Sequence, residues 1–151
     1  MSAENPITQS CLDYKEAALA SANALQTTIT SMVNQATAAA AAAQQSLTWW
    51  QAQSPTASCT LAYQALLETL QGLANEANVL GQSIFALIRF LEGLNCSSPT
   101  WANDVATAEA QRLAIAASRD SISQGLTVAI DTAADLVGQC TPPIPVTPVE
   151  E

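Results

Sequence analysis

Cys11, Cys59, Cys96 and Cys140 have the widest choice of chemistry in this sequence, because a thiol can serve as nucleophile, metal ligand or half of a disulfide. The first two roles fail for want of company. The 151 residues contain no histidine, which removes the Cys/His and Ser/His pairs of nucleophilic catalysis and the ordinary zinc centre. The cysteines lie far apart in the chain with no CxxC spacing, so no metal site is expected. Paired carboxylates are the next possibility, as Glu68 with Glu76 or Asp104 with Glu109. Neither spacing puts both members on one buried face, and solvated helix charges explain them better. The five glycines are dispersed and form no phosphate loop. No set of residues fills the roles of a catalytic site, so the expectation is a non-enzyme without cofactor.

Three further groups are candidates for binding. Arg112 and Arg119 lie seven residues apart, two turns along one side of a helix, and could contact an anion or carboxylate. Local pairing, such as Glu109 with Arg112 one turn on, is the preferred account of them. Trp49 and Trp50 are adjacent, so on a helix their side chains diverge by about 100° and cannot both point inward. One is expected to close the core and the other to be a partner-binding anchor. Asn95-Cys96-Ser97 matches the N-glycosylation sequon in form, and is read as a chance match.

These residues need elements to position them, and proline parses the chain. Asn5-Pro6, Ser54-Pro55 and Ser98-Pro99 each pair a good N-cap with Pro at a first helical position. Helices are therefore predicted at about 6–53, 55–94 and 99–138, the last stopping near Gly138. Pro142, Pro143, Pro145 and Pro148 exclude helix from the acidic tail, residues 141–151, which is expected to be extended and able to dock on a neighbour, with Pro145 a candidate contact.

The second segment has the clearest periodicity. Cys59, Tyr63, Leu66, Leu70, Leu73, Ala77, Leu80, Ile84, Leu87, Leu91 and Leu94 alternate spacings of four and three, and Leu67, Ala74 and Ile88 widen the stripe. A stripe that wide has two neighbours. The first segment repeats the spacing through Ile7, Cys11, Tyr14, Ala18, Ser21, Leu25, Thr28, Met32, Gln35, Ala39, Ala42, Ser46 and Trp49, a weaker and smaller row. The third is regular from Ile122 to Cys140, whereas the same register farther back would put Arg112 and Arg119 in the seam.

The predicted fold is all-α: one domain over residues 1–140, an elongated, antiparallel, up-down-up three-helix bundle on the order of 60 Å long at ~1.5 Å per residue. That course decides among the three possible disulfide pairings. It brings the start of helix one to the end of helix two, and the start of helix two to the end of helix three. The expected bridges are Cys11 with Cys96 and Cys59 with Cys140, because every other pairing spans the bundle's length, far beyond the ~7 Å Cα limit.

Composition bounds the partners. Lys15, Arg89, Arg112 and Arg119 stand against thirteen acidic residues, a net charge of -9, so nucleic acid and anionic membrane are not expected partners. The start MSAENPITQS has neither the basic nor the apolar region of a signal peptide. Disulfides imply an oxidising, extracellular or cell-surface setting, and hence a mature form. The expected function is a non-catalytic structural or interaction protein acting through protein contacts, with self-assembly into a homo-oligomer, filament or shell as one version. The alternative is a carrier of a small apolar, lipid-like ligand, using Leu67, Phe85, Ile88 and Phe90.

Overall fold

A computed structural model describes residues 6–140, with side chains from Ser10 onward. Asn5 and the tail with Pro145 lie outside the described residues. Three helices account for nearly all of what is described: α1 (Pro6–Gln53), α2 (Ser58–Glu92) and α3 (Trp101–Gln139). No strand occurs among the described residues. No helix there is long and apolar enough to cross a membrane.

The helices together form two compact units. Unit 1 takes α1 up to Met32, α2 from Glu76 and α3 up to Ile122; unit 2 takes the remainder of each helix. In unit 1, Cys11 near the start of α1 is bridged to Cys96 just past the end of α2, with a Cα separation of 5.6 Å. In unit 2, Cys59 at the start of α2 is bridged to Cys140 just past the end of α3, at 5.8 Å. Each bridge joins a beginning to an end, so α2 runs antiparallel to α1 and to α3. Both pairings are the expected ones. They place the chain in an oxidising compartment.

The α2 seam is buried as its spacing predicts, from Tyr63 through Leu70, Leu80, Ile84 and Leu87 to Leu94, with Leu67 also inside. The α1 seam differs from expectation. Ala22, Ile29, Ala36, Ala43 and Leu47 are buried, whereas Thr28, Gln35 and Ala42 are exposed and Ser21 and Ser46 half-buried. Cys11, Ala18, Leu25 and Met32 belong to both rows, and from them the chain can step three residues or four. The step taken buries Ile29 and Leu47 and leaves the polar side chains in water, where they need no partners.

In α3 the register continues through the arginines. Ala108, Ile115 and Ile122 are buried, and Arg112 and Arg119 occupy the intervening seam positions half-buried. An arginine can do this by laying its aliphatic stem along the seam while the guanidinium reaches the edge.

The starts of α2 and α3 fall two to three residues later than Pro55 and Pro99. Each proline instead sits at the second position of a turn, closed by Ala57 N–H donating to the Ser54 carbonyl (3.3 Å) and Trp101 N–H to the Ser98 carbonyl (3.2 Å). Gly138 does not stop α3, which runs through it to Gln139, and no glycine has positive φ. The run Pro142-Pro143 just beyond is the stronger stop, because the residue before a proline avoids the helical region.

Candidate functional site

The Cys11–Cys96 corner is built from its turn outward. Asn95 Oδ1 accepts the Ser97 N–H (2.9 Å), and the Asn95 carbonyl accepts the Ser98 N–H (3.1 Å). Ser98 Oγ then accepts the Thr100 N–H (3.2 Å), a serine turn ahead of α3 and not the expected cap, because the first helical bond, Asp104 N–H to the Thr100 carbonyl (3.3 Å), puts Thr100 at the N-cap place. Cys11, Leu94 and Cys96 form a buried cluster, against which Tyr14, Trp101 and Val105 pack. Lys15 Nζ donates to the Leu94 carbonyl (3.1 Å), satisfying an acceptor at the end of α2.

About two turns into α1, Tyr14 OH donates to Glu109 Oε2 (2.9 Å) on α3. Glu109 in turn holds Arg112 through Nε (3.0 and 3.1 Å) and through Nη2. Burial, then the bond to Glu109, pushes the Tyr14 hydroxyl up to about 12. The Arg112 hydrogen bonds hold the Glu109 carboxyl below its ordinary range, with Tyr14 adding to the effect. Arg119 pairs with its neighbour Asp120, through Nε at 3.1 Å and Nη2 at 2.9 Å. The local pairing expected of Glu109 and Arg112 is thus present. The link to Tyr14 is additional, and joins two helices where Glu109 and Arg112 alone would brace only one.

The Cys59–Cys140 corner carries the tryptophan pair. Trp50 Nε1 donates to the Cys140 carbonyl (3.0 Å), so Trp50 is the ring that closes this end. Trp49 meets it edge to face, with centroids 5.0 Å apart and planes at 85°. Both are half-buried, so the divergence of adjacent helical positions does not leave Trp49 fully exposed as expected. Its ring swings onto Trp50. Thr60, 1% exposed, donates its hydroxyl to the Ser54 carbonyl (2.6 Å). Nothing in the Ser-Pro pattern signals Thr60, whose role depends on where the turn brings Ser54.

Two depressions lie in unit 1. A furrow of about 180 Å³ has Ser21, Ala24, Leu25 and Thr28 of α1 on one wall and Arg112, Ala116 and Arg119 of α3 on the other. A wider groove of about 540 Å³ runs between α2 and α3, lined by Ser83, Ala86, Phe90, Gln111, Ala114 and Ile115. Of the four apolar-ligand candidates only Phe90 lines that groove. Leu67 is core in unit 2, Ile88 is half-buried, and Phe85 is 55% exposed beneath the Arg89 guanidinium, 5.5 Å from its ring centre. The spacing in α2 that suggested one apolar chamber instead spreads these side chains around the helix. Glu68 and Glu76 are solvent-exposed, and Asn95 is exposed in its turn.

Beside this geometry no precedent can be set: no protein-family model matches the chain, and no curated protein or solved structure resembles it closely enough to count as a match.

Proposed function

We propose that this chain is a non-catalytic, disulfide-stapled helical protein that works through protein contacts at a cell surface or in a secreted assembly or particle, and that its copies associate with one another. The observation that carries this reading is the confinement of the basic residues to one of the two units. All four basic residues, Lys15, Arg89, Arg112 and Arg119, belong to unit 1. Unit 2 has none beside Glu68, Asp131 and Asp135, whereas unit 1 sets its four against Asp13, Glu16, Glu76, Glu92, Asp104, Glu109 and Asp120, so the units differ in where cations are available and not in the sign of their charge. Cations confined to one unit favour contact between different surfaces of successive copies, the heterologous arrangement that generates rings or filaments. The sparse charge, 11% of residues, leaves much of the remaining surface cheap to desolvate.

Sedimentation velocity and electron microscopy over a concentration series test this directly. Concentration-dependent growth or an ordered polymer is expected, and a strict monomer at every concentration counts against association. The α2–α3 groove is the one feature that favours a second reading, a carrier of a small apolar ligand, since its volume lies in the usual range for such sites and its walls are mostly apolar. Native mass spectrometry of freshly isolated protein separates the two. Co-purifying lipid supports a carrier.

A further inference from the structure

The α1–α3 furrow of unit 1 has a composition that seam packing does not require. At two alternate seam positions, on either side of buried Ile115, α3 places arginines where an apolar residue would seal the helices, and α1 faces them with Ser21, Ala24, Leu25 and Thr28. The arginine side chains remain 32% and 35% exposed. Seven residues of helix separate them, or ~10 Å at 1.5 Å per residue.

Both guanidinium groups are oriented before any ligand arrives. Glu109 holds Arg112 and Asp120 holds Arg119, in each case through Nε and Nη2. A guanidinium has five N–H donors in a fixed fork, so pairing along one edge leaves donors on the other for a second carboxylate. Side chains already held in place lose less rotamer freedom on binding.

We propose that this furrow is the acceptor for the acidic tail of a second copy, with the carboxylates of Glu150 and Glu151 meeting Arg112 and Arg119. The proposal rests on the self-association put forward above and names its contact. Charge complementarity selects the occupant. Copies that each carry -9 repel, so close approach needs a place where carboxylates meet cations, and every cation of the chain lies in unit 1. The tail supplies two adjacent carboxylates after TPPIPVTPV, a proline-rich stretch whose restricted backbone has little conformational entropy to lose on docking. Ala24, Leu25 and Ala116 offer apolar surface to its Val and Pro side chains.

The test is sedimentation velocity on the full chain and two paired variants, with thermal melts to confirm folding. Arg112→Gln with Arg119→Gln, and separately Glu150→Gln with Glu151→Gln, are each expected to weaken self-association at least tenfold. The tail variant keeps the test decisive even if the arginine variant unfolds. Charge reversal sharpens it: Arg112→Glu/Arg119→Glu and Glu150→Arg/Glu151→Arg chains should each be monomeric alone and associate when mixed. Association of the tail variant as strong as that of the wild type overturns the furrow contact while leaving self-association standing. A wild type that is monomeric at every concentration overturns both. A change of compactness in the tail variant without any concentration dependence overturns the second-copy assignment, because it places the tail on its own chain.

Discussion

The two corners of this protein begin with the same tripeptide, Ser54-Pro55-Thr56 and Ser98-Pro99-Thr100, and each lies next to a disulfide, yet they are held differently. At the second corner in the chain side chains hold the turns: Ser98 Oγ takes the Thr100 N–H just ahead of α3 and Asn95 Oδ1 closes the preceding turn. At the first it is the Ser54 carbonyl that matters, taking both the Ala57 N–H and the buried Thr60 hydroxyl. The surroundings differ too. The Cys11–Cys96 corner is tied by Lys15 to Leu94 and by Tyr14 through Glu109 to Arg112, whereas the Cys59–Cys140 corner depends on one indole, Trp50, reaching the Cys140 carbonyl. A shared local motif sets where the chain turns. What holds the turn is decided by the residues that tertiary packing brings to it.

The largest expected effect comes from removing each bridge. The bridged residues are 85 and 81 apart, so chain entropy favours the two bridges almost equally. Replacing either pair by serine should cost about 2–5 kcal/mol. Because the first bridge has the denser set of other ties, Cys59→Ser/Cys140→Ser should lower the urea midpoint more than Cys11→Ser/Cys96→Ser. The reverse order would break the comparison. Next in size is Thr60→Val, which keeps the shape and removes a donor from the buried side of its turn; a loss of about 1–3 kcal/mol is expected. At the other corner Ser98→Ala should cost about 0.5–1 kcal/mol, the loss of one hydrogen bond in an exposed turn. If the two substitutions prove equal, the distinction between a carbonyl-centred and a hydroxyl-centred corner fails.

Smaller effects compare the helix packing of the units. A Cβ at Gly81 would meet Ile29 Cγ2 at 3.6 Å, an ordinary contact, so Gly81→Ala should gain about 0.5–1 kcal/mol from helix propensity. A Cβ at Gly125 would lie 3.0 Å from Leu73 Cδ2, so the same change in unit 2 should gain less or cost stability. Thermal melts of the two variants rank them. The smallest effect is a titration at the Cys11–Cys96 corner, where Glu109 and Arg112 are each about a third exposed and solvent screens the pair. Glu109 is depressed in the folded state, so its contribution is full above the ordinary carboxylate range and is lost as pH falls through its folded value. Tyr14 acts oppositely: its contribution is full below pH 10 and is lost as pH rises through about 12. Tyr14→Phe should remove the alkaline loss and leave most of the acid one, since Arg112 remains beside Glu109.

Legibility from sequence tracked side-chain size. In α2 the seam is marked by Leu and Ile at nearly every position, and shifting it by one residue would bury Gln71 or Gln64 in place of Leu70 or Tyr63. Only one register is affordable. Along α1, Ala36 to Ala43 is almost all alanine, and rows one residue apart differ little in what they bury. There the sequence carries almost no preference. The tryptophans illustrate the same limit for the candidate surface. Adjacency told which directions their Cβ atoms take, but not that Trp49 would turn its edge onto Trp50.

By itself, then, the sequence determined the three helices, the antiparallel course, the buried row of α2 and both disulfides. Each follows from a signal that neighbours cannot easily override: proline's missing N–H, a heptad of bulky side chains, and the reach of a sulfur–sulfur bond. Tertiary structure alone decided the register of α1, the half-burial of Arg112 and Arg119, the link from Tyr14 to Glu109 and the satisfaction of Thr60. In those places the local preferences are nearly balanced or a polar group needs a partner from a distant part of the chain, so packing chooses.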